Sequence, residues 1–115
     1  MITLKTLPQA TAQEVFDQVS RHLLKQGAKS KDARGECMYK QGKKKCAAGC
    51  LIGDDEYEKS MEGNPWSILS SRKKVPRRHR YLIMKLQKIH DVERAKTWEL
   101  ELKRLALARN LKWNL

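Results

Sequence analysis

Apolar residues recur at helical spacing in three separate stretches of this chain, and that period commits it to short, packed helices. Ala12, Val15, Phe16, Val19 and Leu23 fall on one stripe, while Gln13, Asp17, Gln18, Ser20, Arg21 and Lys25 cover the rest of the turn. Thr11 and Glu14 make a capping-box pattern at its start, in which each side chain satisfies a free backbone N–H. Gly27 is a natural stop, because it takes the left-handed conformation without steric cost. Residues 28–36 are polar and read as a loop. The second stretch opens at Pro76 and runs to about His90. Its core stripe is His79, Leu82, Ile83, Leu86, Ile89 and His90, with Arg77, Arg80, Met84 and Lys88 opposite and Lys85 on one flank. The third runs from about Glu93 to Asn110 and carries two stripes: Trp98, Leu102, Leu105 and Ala106 on one side, Leu100, Leu107 and Leu111 on the other. A helix apolar on two sides is sandwiched in a core or packs against another chain, so a homodimer through this helix is one expectation.

The middle of the chain is less regular. Cys37 to Lys40 and Lys43 to Cys46 flank Gln41-Gly42, which suggests a short hairpin with Lys40 opposite Lys43 and Cys37 opposite Cys46. Cys46-Ala47-Ala48-Gly49-Cys50-Leu51-Ile52 is small and apolar, and is expected to be buried. Asp54, Asp55, Glu56 and Glu58 suit the start of a short acidic helix, where the macrodipole favours anions. Gly63 ends it. Asn64-Pro65-Trp66 reads as a cap followed by Pro at the first helical position, opening a helix to about Ser71. The fold class is therefore mostly α, a small α+β arrangement of about five helical segments with one short β-hairpin near residues 37–46. At 115 residues there is room for one domain spanning 1–115. Its core is thin: Leu, Ile, Val and Phe number 24, just above the roughly one-fifth share below which charged chains stay disordered.

Charge is the strongest functional signal. Twenty-five Lys and Arg face thirteen Asp and Glu, a net +12, far more than solubility alone requires. Such a field gathers polyanions and speeds their encounter. The cations fall into three groups, Arg21 to Arg34, Lys40 to Lys45, and Arg72 to Arg80. The last holds Arg72, Lys73, Lys74, Arg77, Arg78 and Arg80, six cations in nine residues. Together with Lys88 and the hairpin lysines Lys40, Lys43, Lys44 and Lys45, they form the candidate partner-binding face. The expected partner is nucleic acid or an acidic or nucleic-acid-handling protein complex. Helix-turn-helix, zinc-finger and aromatic stacking signatures are missing, which points to phosphate contacts rather than base reading. No apolar run approaches the roughly 18 residues of a membrane span, and Met1 to Lys5 shows no signal-peptide core, so a cytoplasmic protein is expected.

The three cysteines allow three readings: buried small hydrophobes, a structural zinc site of Cys37, Cys46, Cys50 and His90, or a Cys nucleophile with His90 as base and Asp91 as its orienter. The spacing lacks a Cys-x2-Cys knuckle, and neighbours at i, i+1 on a helix do not face each other, which weighs against the last two. No phosphate-binding glycine loop, paired-carboxylate site or metallohydrolase motif is present, and no enzymatic activity or cofactor is expected.

Cys37-Met38-Tyr39, then Lys45-Cys46-Ala47-Ala48-Gly49-Cys50-Leu51-Ile52 with Asp54-Asp55-Glu56-Tyr57, then Met61-Glu62-Gly63, resembles a group of small proteins encoded by tailed phages and prophages. Leu86-Gln87, Ile89-His90-Asp91, Trp98 and the first helix also fit that pattern, whereas Gly53 and the lysine-rich turn depart from it. The resemblance implies a small accessory protein made in an infected bacterial cell. Proteins of that kind often act by stoichiometric binding, including inhibition of host enzymes or of defence complexes of the anti-CRISPR type.

Overall fold

The computed structural model describes all residues from Met1 to Leu115. The first helix, α1, spans Ala12–Gln26, with both halves of the Thr11–Glu14 capping box formed and Gly27 left-handed at φ 64°. Its stripe of Val15, Phe16, Val19 and Leu23 is fully buried. A two-stranded hairpin follows, β1 (Lys40–Gln41) and β2 (Lys44–Lys45). Then come α2 (Trp66–Ser71), α3 (Arg80–Val92) and α4 (Trp98–Ala108), with short 3-10 turns at Leu7–Gln9, Gly49–Leu51, Lys59–Met61 and Ala95–Thr97. Four α-helices and one antiparallel hairpin make a small, mostly helical α+β fold. No helix is long and apolar enough to cross a membrane.

The third helix is the centre of the packing: α3 touches α1, α2 and α4, and α4 also packs on α1. Leu82, Ile83, Leu86 and His90 supply its inner face, against Phe16, Leu23, Trp98 and Leu102 in one cluster of 22 buried apolar residues. Hydrogen bonds fix how α3 lies. At its start, His79 bonds the carbonyl of Ala10, just before α1, at 2.6 Å. At its end, His90 accepts the Ser30 N–H, just after α1, at 3.0 Å. The two helices therefore run side by side in the same direction.

Five local expectations are corrected. The hairpin pairs Lys40 with Lys45 and Gln41 with Lys44, so Lys40 does not face Lys43 and Cys37 does not face Cys46. Gly42, at φ 61°, supplies the positive φ of the turn, which places Gly42-Lys43 at the tip. Cys37 pairs instead with Lys31 in an isolated bridge. The acidic stretch does not open a helix. Asp54 to Glu56 form a turn, because the Glu56 carboxylate accepts the N–H groups of Leu4, Lys5 and Gly53. Asn64 caps nothing. Its side chain bonds the Ser60 carbonyl, and Pro65 takes the cap position of α2. The α3 helix starts at Arg80 rather than Pro76, since Val75 turns inward and His79 sits left-handed at φ 62° while held on Ala10. Finally, α4 is not sandwiched. Leu100 and Leu107 stand 51% and 84% exposed, while Trp98, Leu102 and Ala106 are buried.

Candidate functional site

The basic segment after α2 is built by a Schellman turn. The N–H of Lys74 reaches the Leu69 carbonyl and that of Lys73 the Ser70 carbonyl, with Lys73 left-handed at φ 59°. Elsewhere that position is filled by residues suited to it, Gly27 after α1 and Asn110 after α4. A lysine there costs about 1–2 kcal/mol in backbone strain. Arg72, Lys73, Lys74, Arg77 and Arg78 are exposed and Arg80 is half-buried. None of the six joins an ion pair, for the chain's carboxylate partners lie elsewhere. Residues 63–90 contain eight Lys and Arg and no Asp or Glu. Arg80 instead lays its guanidinium 5.2 Å from the centre of the Tyr81 ring.

The hairpin lysines divide into two kinds. Lys40 and Lys45 both pair with Asp54, at 3.3 and 3.1 Å, and hold its carboxyl below the usual carboxylate range. Lys43 and Lys44 are exposed and unpaired. The hairpin also sits far from the other basic group. The Lys45 carbonyl accepts from His22 and Gln26 at the end of α1, whereas Arg78 and His79 lie against Ala10 at its beginning. A 15-residue helix is roughly 22 Å long, so the two cationic groups occupy opposite ends of α1. Exposed Lys85 and Lys88, on the outer face of α3, lie between those ends. The cations are therefore separate groups rather than one patch.

The histidine, cysteine and acidic candidates meet differently from the zinc pattern. Cys37, His90 and Asp91 bring a sulfur, a ring nitrogen and a carboxylate oxygen within 4.8 Å of one another, and neither Cys46 nor Cys50 joins them. Cys46 Sγ accepts the Gly49 N–H at 3.3 Å, and the Cys50 thiol donates to the Ala47 carbonyl at 3.1 Å. An imidazole Nε2 that accepts the Ser30 N–H carries no proton, so Nδ1 bears it and donates to Asp91 Oδ1 at 2.8 Å. Adjacent residues on a helix do touch here, because the Asp91 side chain folds back along the end of α3. Both His90 nitrogens are thereby occupied, and a metal ion would have to break one of those bonds. Burial raises the Asp91 carboxyl, but donors from His90, Cys37 and Gln87 outweigh it and hold the group below its ordinary value. Burial, then the bond to Asp91, pushes the Cys37 thiol up to about 11. Burial pushes Cys50 up to about 12 and raises Cys46 as well. Protonated thiols are poor nucleophiles and poor metal ligands. This cluster borders a groove of about 410 Å³ whose walls include Tyr39, Trp66, Met84 and Lys88.

Two acidic residues of the Asp54–Glu62 segment hold backbone rather than opening a helix. Glu62 accepts from the N–H groups of Tyr39 and Lys40 and from the Tyr57 hydroxyl, and Glu56 ties the N-terminal segment to the Gly53 turn. No local sequence signal marks a carboxylate that caps distant backbone. Comparison of the chain with models of known protein families, with curated protein sequences and with solved structures finds no match.

Proposed function

We propose that this chain is a small accessory protein that binds a nucleic-acid backbone, free or held by a host complex, through the cations of Arg72–Arg80, Lys85 and Lys88, and Lys43 and Lys44. The observation that carries this reading is the set of six cations at 72–80 with no carboxylate partner. Unpaired surface cations repel one another, and a bound phosphate backbone removes that repulsion while releasing condensed counterions. The strained lysine at position 73 fits the same reading, since strain is retained where something else is gained. The resemblance to tailed-phage proteins adds a setting, the cytoplasm of an infected bacterium. The test is a gel shift at low salt with labelled oligonucleotides, followed over increasing salt. Binding should weaken steeply, and replacing Arg72, Lys73, Lys74, Arg77, Arg78 and Arg80 by Ser should flatten the slope of log K against log salt by roughly 4–5. Full function in that six-residue variant would discard the reading.

A second reading, a stoichiometric inhibitor of a host defence or host enzyme complex acting by protein–protein contact, is favoured by the exposed Leu100 and Leu107 on α4. Capture of one host protein after nuclease treatment, abolished by Leu107→Ser and not by the six serines, would select it over the first.

A further inference from the structure

The outer face of α3 carries more than charge. Tyr81 is 64% exposed and is the one aromatic residue among the chain's exposed large apolar side chains. Tyr39 is buried, Tyr57 donates its hydroxyl to Glu62 at 2.7 Å, Trp66 and Trp98 are buried, and Trp113 packs edge-on against Phe16. At 100° per residue, Lys85 and Lys88 fall within about 40° of Tyr81 on the helix surface, and along the axis they stand roughly 6 and 10 Å from it. Arg80 covers part of the ring on one side, and exposed Arg77 precedes it by one turn of chain. The rest of the ring stands open amid cations that no carboxylate pairs.

The geometry points to single-stranded nucleic acid, not duplex, as the ligand of this face, with an unpaired base stacked on Tyr81 and the flanking phosphates held by Arg77, Lys85 and Lys88. This rests on the polyanion reading above and specifies its ligand. Aromatic rings receive bases only when those bases are unstacked from a partner strand, whereas lysines alone do not discriminate. Beside the stripe, between α3 and α4, lies a groove of about 340 Å³ walled in part by Lys85, Lys88, Ile89 and Leu105. Of its two acidic residues, Glu101 is paired with Arg104 at 2.8 Å, while Glu93 faces the groove beside Lys85 and Lys88 and leaves the lining with three cations to two carboxylates. A second splayed base has a recess to enter there. A duplex, whose bases point inward, gains nothing from either feature.

The experiment measures fluorescence anisotropy of labelled oligo(dT) and oligo(U) of about 15 nucleotides, and of a duplex of the same length, at low and at raised salt. Both single strands should bind at least several-fold tighter than duplex. Tyr81→Ala should weaken single-strand binding roughly tenfold, the worth of one base–aromatic stack, and leave duplex binding unchanged. Tyr81→Phe should restore it. Neither variant should change the salt slope, while Lys88→Ser should lower that slope by about 0.7. The exposed position lets both Tyr81 variants fold. Equal binding of duplex, or an unaffected Tyr81→Ala, would overturn the single-strand assignment while leaving the polyanion reading standing. No binding of any oligonucleotide at low salt would overturn both. Preference between DNA and RNA identifies which single strand is the natural one, and either supports the assignment.

Discussion

Two neighbouring stretches of this chain handle charge in opposite ways. Between Cys37 and Glu62 three carboxylates have structural uses. Asp54 gathers Lys40 and Lys45, Glu56 holds three backbone N–H groups, and Glu62 holds two more and a tyrosine hydroxyl. Between Gly63 and His90 eight cations have no carboxylate at all. The first region has almost no regular structure, two strands of two residues each, and depends on carboxylates to satisfy its backbone. The second is two helices, α2 and α3, joined by a loop that carries Arg72, Lys73, Lys74, Arg77 and Arg78, and no carboxylate stands within it to pair them. The difference teaches that charge here stabilises the fold where carboxylates stand beside backbone donors and lysines, and is left unpaired where the sequence supplies no carboxylate.

The sharpest way to break that comparison is to remove one charge from the first region. Glu62→Ala leaves the N–H groups of Tyr39 and Lys40 and the Tyr57 hydroxyl without their acceptor. Hydrogen bonds to a charged group are worth about 1.5–3 kcal/mol, and stranded donors add to the loss, so destabilisation of about 3 kcal/mol is expected. In thermal unfolding that is a fall of roughly 10 °C or more. The six-serine variant of Arg72–Arg80 alters six charges but only one backbone bond, the long one from Arg78 to Ala10, so it should cost no more than about 1 kcal/mol, offset in part as repulsion is relieved. If the single substitution proves as mild as the sixfold one, the two regions do not differ in kind.

Acid should sharpen the same contrast with a smaller effect. The Glu56 and Asp91 carboxyls are both raised by burial, yet their donors win and hold them below their ordinary values. A carboxyl depressed in the folded state contributes its full stability above the unfolded pKa of about 4, and loses it as pH falls through the folded value. Stability should therefore be flat near neutrality and fall below about pH 4. Glu56→Gln should start lower at pH 7 and fall less on acidification. An acid profile identical to wild type would mean that Glu56 does not hold the N-terminal segment.

Why the helices could be read from sequence and the carboxylate-held region could not follows from the same contrast. Thr11, Glu14 and the Val15–Leu23 stripe act over one or two turns, so α1 is legible locally, cap and stop included. The inner face of α3 is legible for the same reason, but its start is not. The left-handed His79 is imposed by Ala10, 69 residues away in sequence. Glu56 and Glu62 bond donors up to 52 residues distant, and the hairpin register follows the positive φ of Gly42 rather than lysine spacing. The six cations at 72–80 stood out in sequence, but their lack of partners and their distance from the hairpin depend on how α3 lies along α1. Tyr81 is hidden among three scattered tyrosines, because only a helical projection, the burial of Tyr39 and the bond of Tyr57 to Glu62 single it out.

The smallest effect isolates strain from charge at one residue. After α2 the left-handed position is occupied by Lys73, whereas α1 and α4 place Gly27 and Asn110 at theirs. Glycine removes the roughly 1–2 kcal/mol cost of the left-handed conformation, though its own greater freedom when unfolded returns about half of that. Lys73→Gly should therefore stabilise the fold by about 0.5–1 kcal/mol, read as a small rise in denaturation midpoint with unchanged slope. It should also lower the salt slope of oligonucleotide binding by slightly less than one, since one phosphate contact is lost. Lys73→Asn should remove the same contact and recover part of the stability, because asparagine tolerates that backbone better than lysine does. A rise in stability with binding unchanged would say that Lys73 contributes strain but no contact, and the binding face would then begin at Arg77.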